Sequence, residues 1–362
     1  MKKFAFTAVI SLLVFFAFSF GAFAQEDTGD KIMGDFSSVV PPEANIDVGE
    51  GLEADLSFSS LCERVVEALS EKWGDASSFF LMLMGFAVII SVCDGVYVSD
   101  DPSIRRASSS AVSAVASVSI FSGMYGIIAA TREGLLSLSD FFSNLIPILT
   151  AVNASSGALN TAKTQATNMN ITLAMLEKFS TGMLLPLTFA LFSLALAASC
   201  TDSGIASVAK GIKSIFSFGV GIICTMLAAA IALQSLVASA KDNAALRAAR
   251  YAASGMIPIV GSSVASALST LAGGMAFVRN TVGGASVAVI IAISIFPLVM
   301  LLLYRLAFSV SIIFLEFLGS EGGVRCFSAF RTALDALIAV YSISVLVCVV
   351  ELVVFIRSGV SV

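Results

Sequence analysis

Apolar residues in this chain fall into long blocks separated by short polar stretches. The blocks are continuous and rich in Ala, Leu and Ile, without the strict alternation of half-buried or barrel strands. A helix needs about 20 apolar residues to cross a bilayer. Blocks at 77–92, 110–130, 181–199, 214–238, 286–303 and 333–356 reach or approach that length. Residues 305–318 extend the fifth block as a bent or interfacial helix. Two more segments leave alternatives open. Residues 135–152 are long enough but contain Asp140, Asn144 and Pro147, and 257–278 are apolar but dominated by Gly, Ala and Ser. Only helices and closed barrels satisfy every backbone group in lipid. The pattern therefore predicts an all-α, polytopic membrane helix bundle of about 6–8 membrane segments over residues 76–362.

The first 24 residues carry a different pattern. Lys2 and Lys3 precede an unbroken apolar run from Phe4 to Phe20, Gly21 interrupts it, and Ala22-Phe23-Ala24 stands before Gln25. This reads as a cleavable signal peptide, with an uncleaved anchor helix as the alternative; either starts Gln25 outside the cytoplasm. Residues 25–75 then form a short acidic extracytoplasmic segment. Its first part, 25–55, is polar, includes Pro41-Pro42, and reads as flexible. Ser60 and Glu63 have the spacing of a capping box. Leu61, Val65, Leu69 and Trp73 follow at helical spacing. They predict a short amphipathic helix, lying on the membrane surface or docking an extracytoplasmic partner.

Composition agrees with an embedded chain: 57% of residues are hydrophobic and 12% charged, against about 25% charged in soluble domains. The charge is unevenly placed. Residues 25–75 hold thirteen acids against Lys31, Arg64 and Lys72, a net −10; the signal contributes +2 and the whole chain is −5, so the remainder is +3. The low isoelectric point thus comes from the exported tract. No basic patch marks that tract, which argues against nucleic-acid binding.

Orientation depends on 135–152. If it does not span, Arg105, Arg106, Lys210 and Lys213 lie inside, while Arg132, Lys163, Lys178, Lys241, Arg247 and Arg250 lie outside, against the positive-inside tendency. If it spans, Lys163, Lys178, Lys241, Arg247 and Arg250 join Arg105 and Arg106 inside. The charges therefore favour a polar-interrupted span, which is tolerated where protein or water surrounds it.

Little in the chain points to catalysis. It has no histidine, which removes Ser-His-Asp and Cys-His arrangements and most zinc sites. Cys62, Cys93, Cys200, Cys224, Cys326 and Cys348 form no CxxC pair, and no GxxxxGK[ST] loop is present. The expectation is a non-enzyme with no cofactor-binding, metal or catalytic residues.

Small residues carry a stronger signal. Gly261, Ala265, Ser269 and Gly273 recur at i, i+4, with Ser262, Ser266, Thr270 and Gly274 as the adjacent row. Such a face lets another backbone approach closely and its hydroxyls bond across helices. It reads as a tight packing surface, or as a hydrophilic conduit lining or re-entrant hairpin hinged at Pro258 and Gly261. Ser109, Ser113 and Ser117 form a similar row. Ionisable residues in the late blocks are functional candidates by their cost in lipid. Arg305 and Glu316 would share a face about 16 Å apart, too far to pair. Arg331 and Asp335, at i, i+4, can pair. Glu351, near the end of the last block, is within reach of the interface. Interfacial pairing and snorkelling are the simpler reading of these charges, a proton relay the other.

The stretch Ala232-Leu233-Gln234-Ser235-Leu236-Val237-Ala238-Ser239, then Ala248-Ala249-Arg250-Tyr251-Ala252, then Met256-Ile257-Pro258-Ile259-Val260-Gly261-Ser262, resembles the core of the stage III sporulation protein AE family. The signal peptide, acidic segment and order of spans are similar too, so the resemblance covers most of the chain. Where the family tends to carry an Asp-Gly turn, Lys241-Asp242-Asn243 stands without a glycine. The resemblance implies a multi-pass protein of the mother-cell membrane around the engulfed forespore. It implies partnership in the lipid bilayer with other stage III sporulation membrane proteins, including a separate ATPase subunit, in a secretion-like channel complex. A stand-alone secondary transporter or permease is the alternative.

Overall fold

A computed structural model describes residues 36–41, 58–95, 102–155, 159–175, 177–178, 182, 185–200 and 261–357. Four apolar blocks become long helices: α1 (Phe58–Gly95), α2 (Pro102–Ser155), α5 (Gly261–Phe317) and α6 (Glu321–Arg357). Two shorter ones, α3 (Leu159–Met175) and α4 (Leu185–Cys200), lie between α2 and α5 in the chain. No strand occurs among the described residues. Each long helix contains a stretch apolar and long enough to cross a membrane, at Glu63–Cys93, Ala111–Ala154, Thr281–Phe317 and Glu321–Val353. The block at 214–238 lies outside the described residues.

Several segments expected to be separate are continuous. The segments 110–130 and 135–152 are both parts of α2, 54 residues long. At 1.5 Å per residue α2 extends about 80 Å, so 135–152 does not turn back as its own crossing. The segments 257–278, 286–303 and 305–318 likewise fall largely within α5, and from Gly261 onward no hinge or re-entrant turn interrupts it. Pro147 and Pro297 are accommodated inside α2 and α5. The amphipathic stretch before the first block runs without a break into it as α1, so it does not lie flat as an independent surface helix. Helix α1 begins at Phe58, which puts Ser60 inside the helix and not at its cap.

The sharpest feature of the chain, the α5–α6 hairpin, follows from Leu318-Gly319-Ser320. Gly319 adopts φ +72°, a conformation that a Cβ disfavours. Around it, the Ser320 N–H donates to the Leu315 carbonyl at 3.1 Å and the Gly319 N–H to the Glu316 carbonyl at 3.2 Å. These are the paired bonds of a Schellman ending, and they satisfy carbonyls that the last helical turn would leave orphaned. Ser320 then caps the next helix: its Oγ accepts from the Gly323 N–H at 3.3 Å. Glu321 in the first turn of α6 suits the positive end of the helix dipole.

Contacts along the helices fix their directions. Helix α1 runs parallel to α5, since Lys72 meets Phe296, Phe79 meets Tyr304 and Phe308, and Ser91 Oγ donates to the Leu318 carbonyl at 3.4 Å. Helix α2 runs antiparallel to α5 and parallel to α6. Ser117 Oγ lies 3.1 Å from Cys326 Sγ, and Gly134 sits against both Pro297 and Tyr341. The hydroxyl row of α2 thus packs: Ser113 and Ser117 are buried, and Ser117 Oγ also donates to the Ser113 carbonyl at 2.7 Å. An aromatic chain crosses the bundle, from Phe79 on α1 through Tyr304 and Phe308 on α5 to Phe327 and Phe330 on α6 and Phe192 on α4. Phe36 is buried in the same core.

Exposure is banded along the bundle. Leu81, Val88, Ile89 and Val92 on α1, Val115 and Val118 on α2, and Leu302, Leu306, Val310, Ile313 and Phe317 on α5 are exposed apolar side chains. On α5 this band reaches about 24 Å from the hairpin turn. Trp73 and Asp75 on α1 and Arg132 and Glu133 on α2 are exposed at its far edge, and Glu316 and Glu321 at the turn. An apolar collar of this height, edged by charges and an aromatic residue, is the surface of a membrane protein facing lipid. Beyond it the exposed faces turn polar, with Asp140, Ser143 and Asn144 on α2 and Lys163, Thr167 and Asn170 on α3. Leu136 and Ile171 there, and Val65, Val66 and Leu69 on α1, are exposed exceptions.

Candidate functional site

The two helices of the hairpin carry one charge each at matching height. Arg305 lies about 20 Å before the turn and Asp335 about 22 Å after it. Arg305 Nε donates to Asp335 Oδ1 at 2.6 Å, with both side chains about two-thirds covered (28% and 31% exposed). Charge in a span is tolerated when it is paired and faces protein, and this pair meets both conditions. Asp335 therefore bonds across the hairpin to Arg305, not along α6 to Arg331. In an antiparallel pair the facing residue is the one equally far from the turn, and Arg331 sits one helical turn closer to it. Arg331 is half-buried and has no ion pair among the described residues. Glu316 is exposed beside the turn, well separated from Arg305 as expected.

Of the small-residue face, Pro258 lies outside the described residues. Gly261, Ala265, Ser266, Ser269 and Gly273 form the opening turns of α5. The adjacent row, Ser262, Ser266, Thr270 and Gly274, falls in the same turns.

The acid expected at the interface lies elsewhere. Helix α6 continues past Glu351 to Arg357, so Glu351 is not at a free end; it is fully buried. Neither of its carboxylate oxygens has a hydrogen-bond partner among the described residues. The Thr172 hydroxyl on α3 interacts with it without reaching full hydrogen-bond geometry. Thr172, Asn168 and Gln165 stand at i, i−4 and i−7 on the buried side of α3, each 5% exposed or less. Asn153, at the end of α2, is also fully buried. Sequence reasoning missed this polar cluster because α3 belongs to no apolar block. The signal was present in the period of Gln165, Asn168 and Thr172, with Met169 on the same face.

Another polar link ties α2 to the stretch after α3, where Ser139 Oγ donates to Glu177 Oε1 at 3.0 Å. Among the described residues no three His, Cys, Asp or Glu side chains gather in one place. What the arrangement offers chemically is paired charge and buried oxygen donors between packed helices, suited to holding helices in register.

Comparison with known proteins adds a lineage to this geometry. The family described as Stage III sporulation protein AE matches residues 47–359. The protein named Stage III sporulation protein AE from Bacillus subtilis (strain 168) is 22% identical over 338 residues, covering 91% of this chain and 84% of the relative. No solved structure matches the chain.

Proposed function

This chain belongs to the stage III sporulation protein AE family, and from that premise we propose that it is a non-enzymatic membrane subunit of the mother cell–forespore channel, a secretion-like complex needed for endospore development after engulfment. The observation that carries the reading is the family match across residues 47–359, which spans every described helix. The helical bundle supports the mode of action. Its collar suits lipid, and the face formed by Gly261, Ala265, Ser266, Ser269 and Gly273 suits close helix packing or the lining of a conduit. The subunit acts by assembly with other stage III sporulation membrane proteins, a separate ATPase supplying nucleotide energy. It resides in the mother-cell membrane around the forespore, after removal of the signal peptide at residues 1–24. Residues 25–75 are its acidic extracytoplasmic segment and 76–362 its multi-pass domain, whose described residues hold four helices long and apolar enough to cross a membrane.

A clean in-frame deletion, followed by microscopy through engulfment, tests this. Arrest after engulfment with a small or collapsing forespore is the expected result. Normal spores would refute the channel role and leave the stand-alone transporter, to be pursued as substrate flux by the purified protein.

A further inference from the structure

We propose that Glu351 is the anionic ligand of a binding site for a small monovalent metal cation of the sodium type, completed by Thr172 and Asn168 on α3. The site does not depend on the sporulation role; it rests on where these side chains lie.

Glu351 is fully buried, and no Lys or Arg pairs with it among the described residues. Lys163 and Lys178, the bases on and just after α3, are exposed. A carboxylate taken out of water without a partner is strongly disfavoured, so a side chain kept in such a place is kept together with something that neutralises it. The surroundings specify what that is. Glu351 brings two oxygens, and the Thr172 hydroxyl lies beside it, short of hydrogen-bond geometry. Asn168 stands one turn from Thr172 on the same buried face of α3, about 6 Å along the axis, and Gln165 one turn further. Among the described residues, Asn168 Nδ2 and Gln165 Nε2 have no hydrogen-bond partner. A side-chain amide presents oxygen instead of nitrogen by a half-turn of its terminal bond, so both residues can supply donors to a cation.

The donors facing Glu351 from α3 are oxygens, which suit hard cations, whereas Cys348, buried one turn before Glu351 on α6, is a poor ligand for such ions as a thiol. Charge decides among them. One carboxylate balances one positive charge and leaves the buried site neutral, whereas a divalent ion would leave an excess charge in the interior. Calcium sites draw on several carboxylates among about 6–8 oxygens. A transition metal would need several nitrogen or sulfur ligands; the chain has no histidine, and Cys348 beside Glu351 offers one thiol. Bound there, the cation would join α3 to α6, two helices with few other contacts between them.

The test uses the full-length protein purified in detergent. Thermal unfolding is followed by near-UV circular dichroism over a sodium chloride series, with choline chloride at equal ionic strength as the control. The expected result is a saturable rise in the midpoint of about 2–4 °C with sodium only. That rise should vanish in Glu351→Gln, and Thr172→Val should move its half-saturation to higher sodium. An equal effect of choline, or a full sodium response in Glu351→Gln, would overturn the proposal. So would a midpoint indifferent to sodium but shifting with pH, which would make a proton the occupant. If Glu351→Gln does not fold, the sodium-against-choline comparison on the unaltered protein and on Thr172→Val still decides.

Discussion

Breaking the Arg305–Asp335 pair should cost the bundle far more than its single contact suggests, and breaking both ends should cost less than the sum. In Asp335→Leu, Arg305 keeps its guanidinium about 20 Å from the hairpin turn, within the height of the apolar collar, with no acid opposite. Removing one partner of a fully buried pair costs about 3–5 kcal/mol. Both side chains here retain roughly 30% exposure within the protein. A charge facing a membrane interior costs about 2.5–3.5 kcal/mol on insertion scales. Arg305 can also bend its stem toward the nearer interface. These considerations place each single substitution, Asp335→Leu or Arg305→Leu, at about 2–3 kcal/mol. The double substitution leaves two apolar side chains facing each other across the hairpin and should cost only about 1 kcal/mol. Two singles of about 2–3 kcal/mol each against about 1 kcal/mol for the double put the coupling at about 3–5 kcal/mol. Reversible unfolding of the full chain in mixed detergent, followed by near-UV circular dichroism, measures all four corners of the cycle. Additive losses, with the double variant as damaged as the two singles together, would refute the claim that the pair locks the hairpin register.

Other consequences are open to direct measurement. A Cβ at Gly134 would lie 2.9 Å from both Pro297 Cγ and the Tyr341 hydroxyl, groups fixed by a ring and by full burial. Gly134→Ala gains about 1 kcal/mol of helix propensity but meets an overpacking cost of about 1–3 kcal/mol, so net destabilisation of up to about 2 kcal/mol is expected in the same unfolding assay. Gly319→Ala places a Cβ at φ +72° and should destabilise the hairpin by about 1–2 kcal/mol; unchanged stability would show that the turn relaxes at no cost. Replacing both Ser266 and Gly273 by Leu should abolish complex assembly or sporulation, read as co-purified partners and spore yield; normal values for both would remove the packing-face argument.

The sequence reading succeeded where a single physical rule governed and failed where two competed. Residues 77–92 and 333–356 had to be helical in lipid, and they are. The breaks between blocks were misplaced because Arg132-Glu133 and Arg279-Asn280 look like loop residues in an apolar chain. A helix, however, need not stop where lipid stops; those charges can sit on a helix that has already left the collar. Pro147, which counted against 135–152 as a regular span, sits inside α2, since neighbouring helices can hold a proline-containing helix together. The Arg305–Asp335 contact was out of reach because it depends on the register of a hairpin set by Gly319 and Ser320. Glu351 was misread for a related reason: only the partner helix, α3, reveals that the end of the last apolar block faces protein and not an interface.

The great length of α2 has a further consequence. Its collar portion ends near Arg132, yet the helix proceeds another 33 Å or so to Ser155. A continuous helix braced by its neighbours is stiff, so it acts as a strut of fixed height above the bilayer. Whatever meets its far end does so at a set distance from the lipid, and that distance is written in residues. Deleting one helical turn between Glu133 and Ser155 would lower the contact plane by about 5 Å and rotate it little. A complex that must join two membranes could in this way take its spacing from the length of a helix.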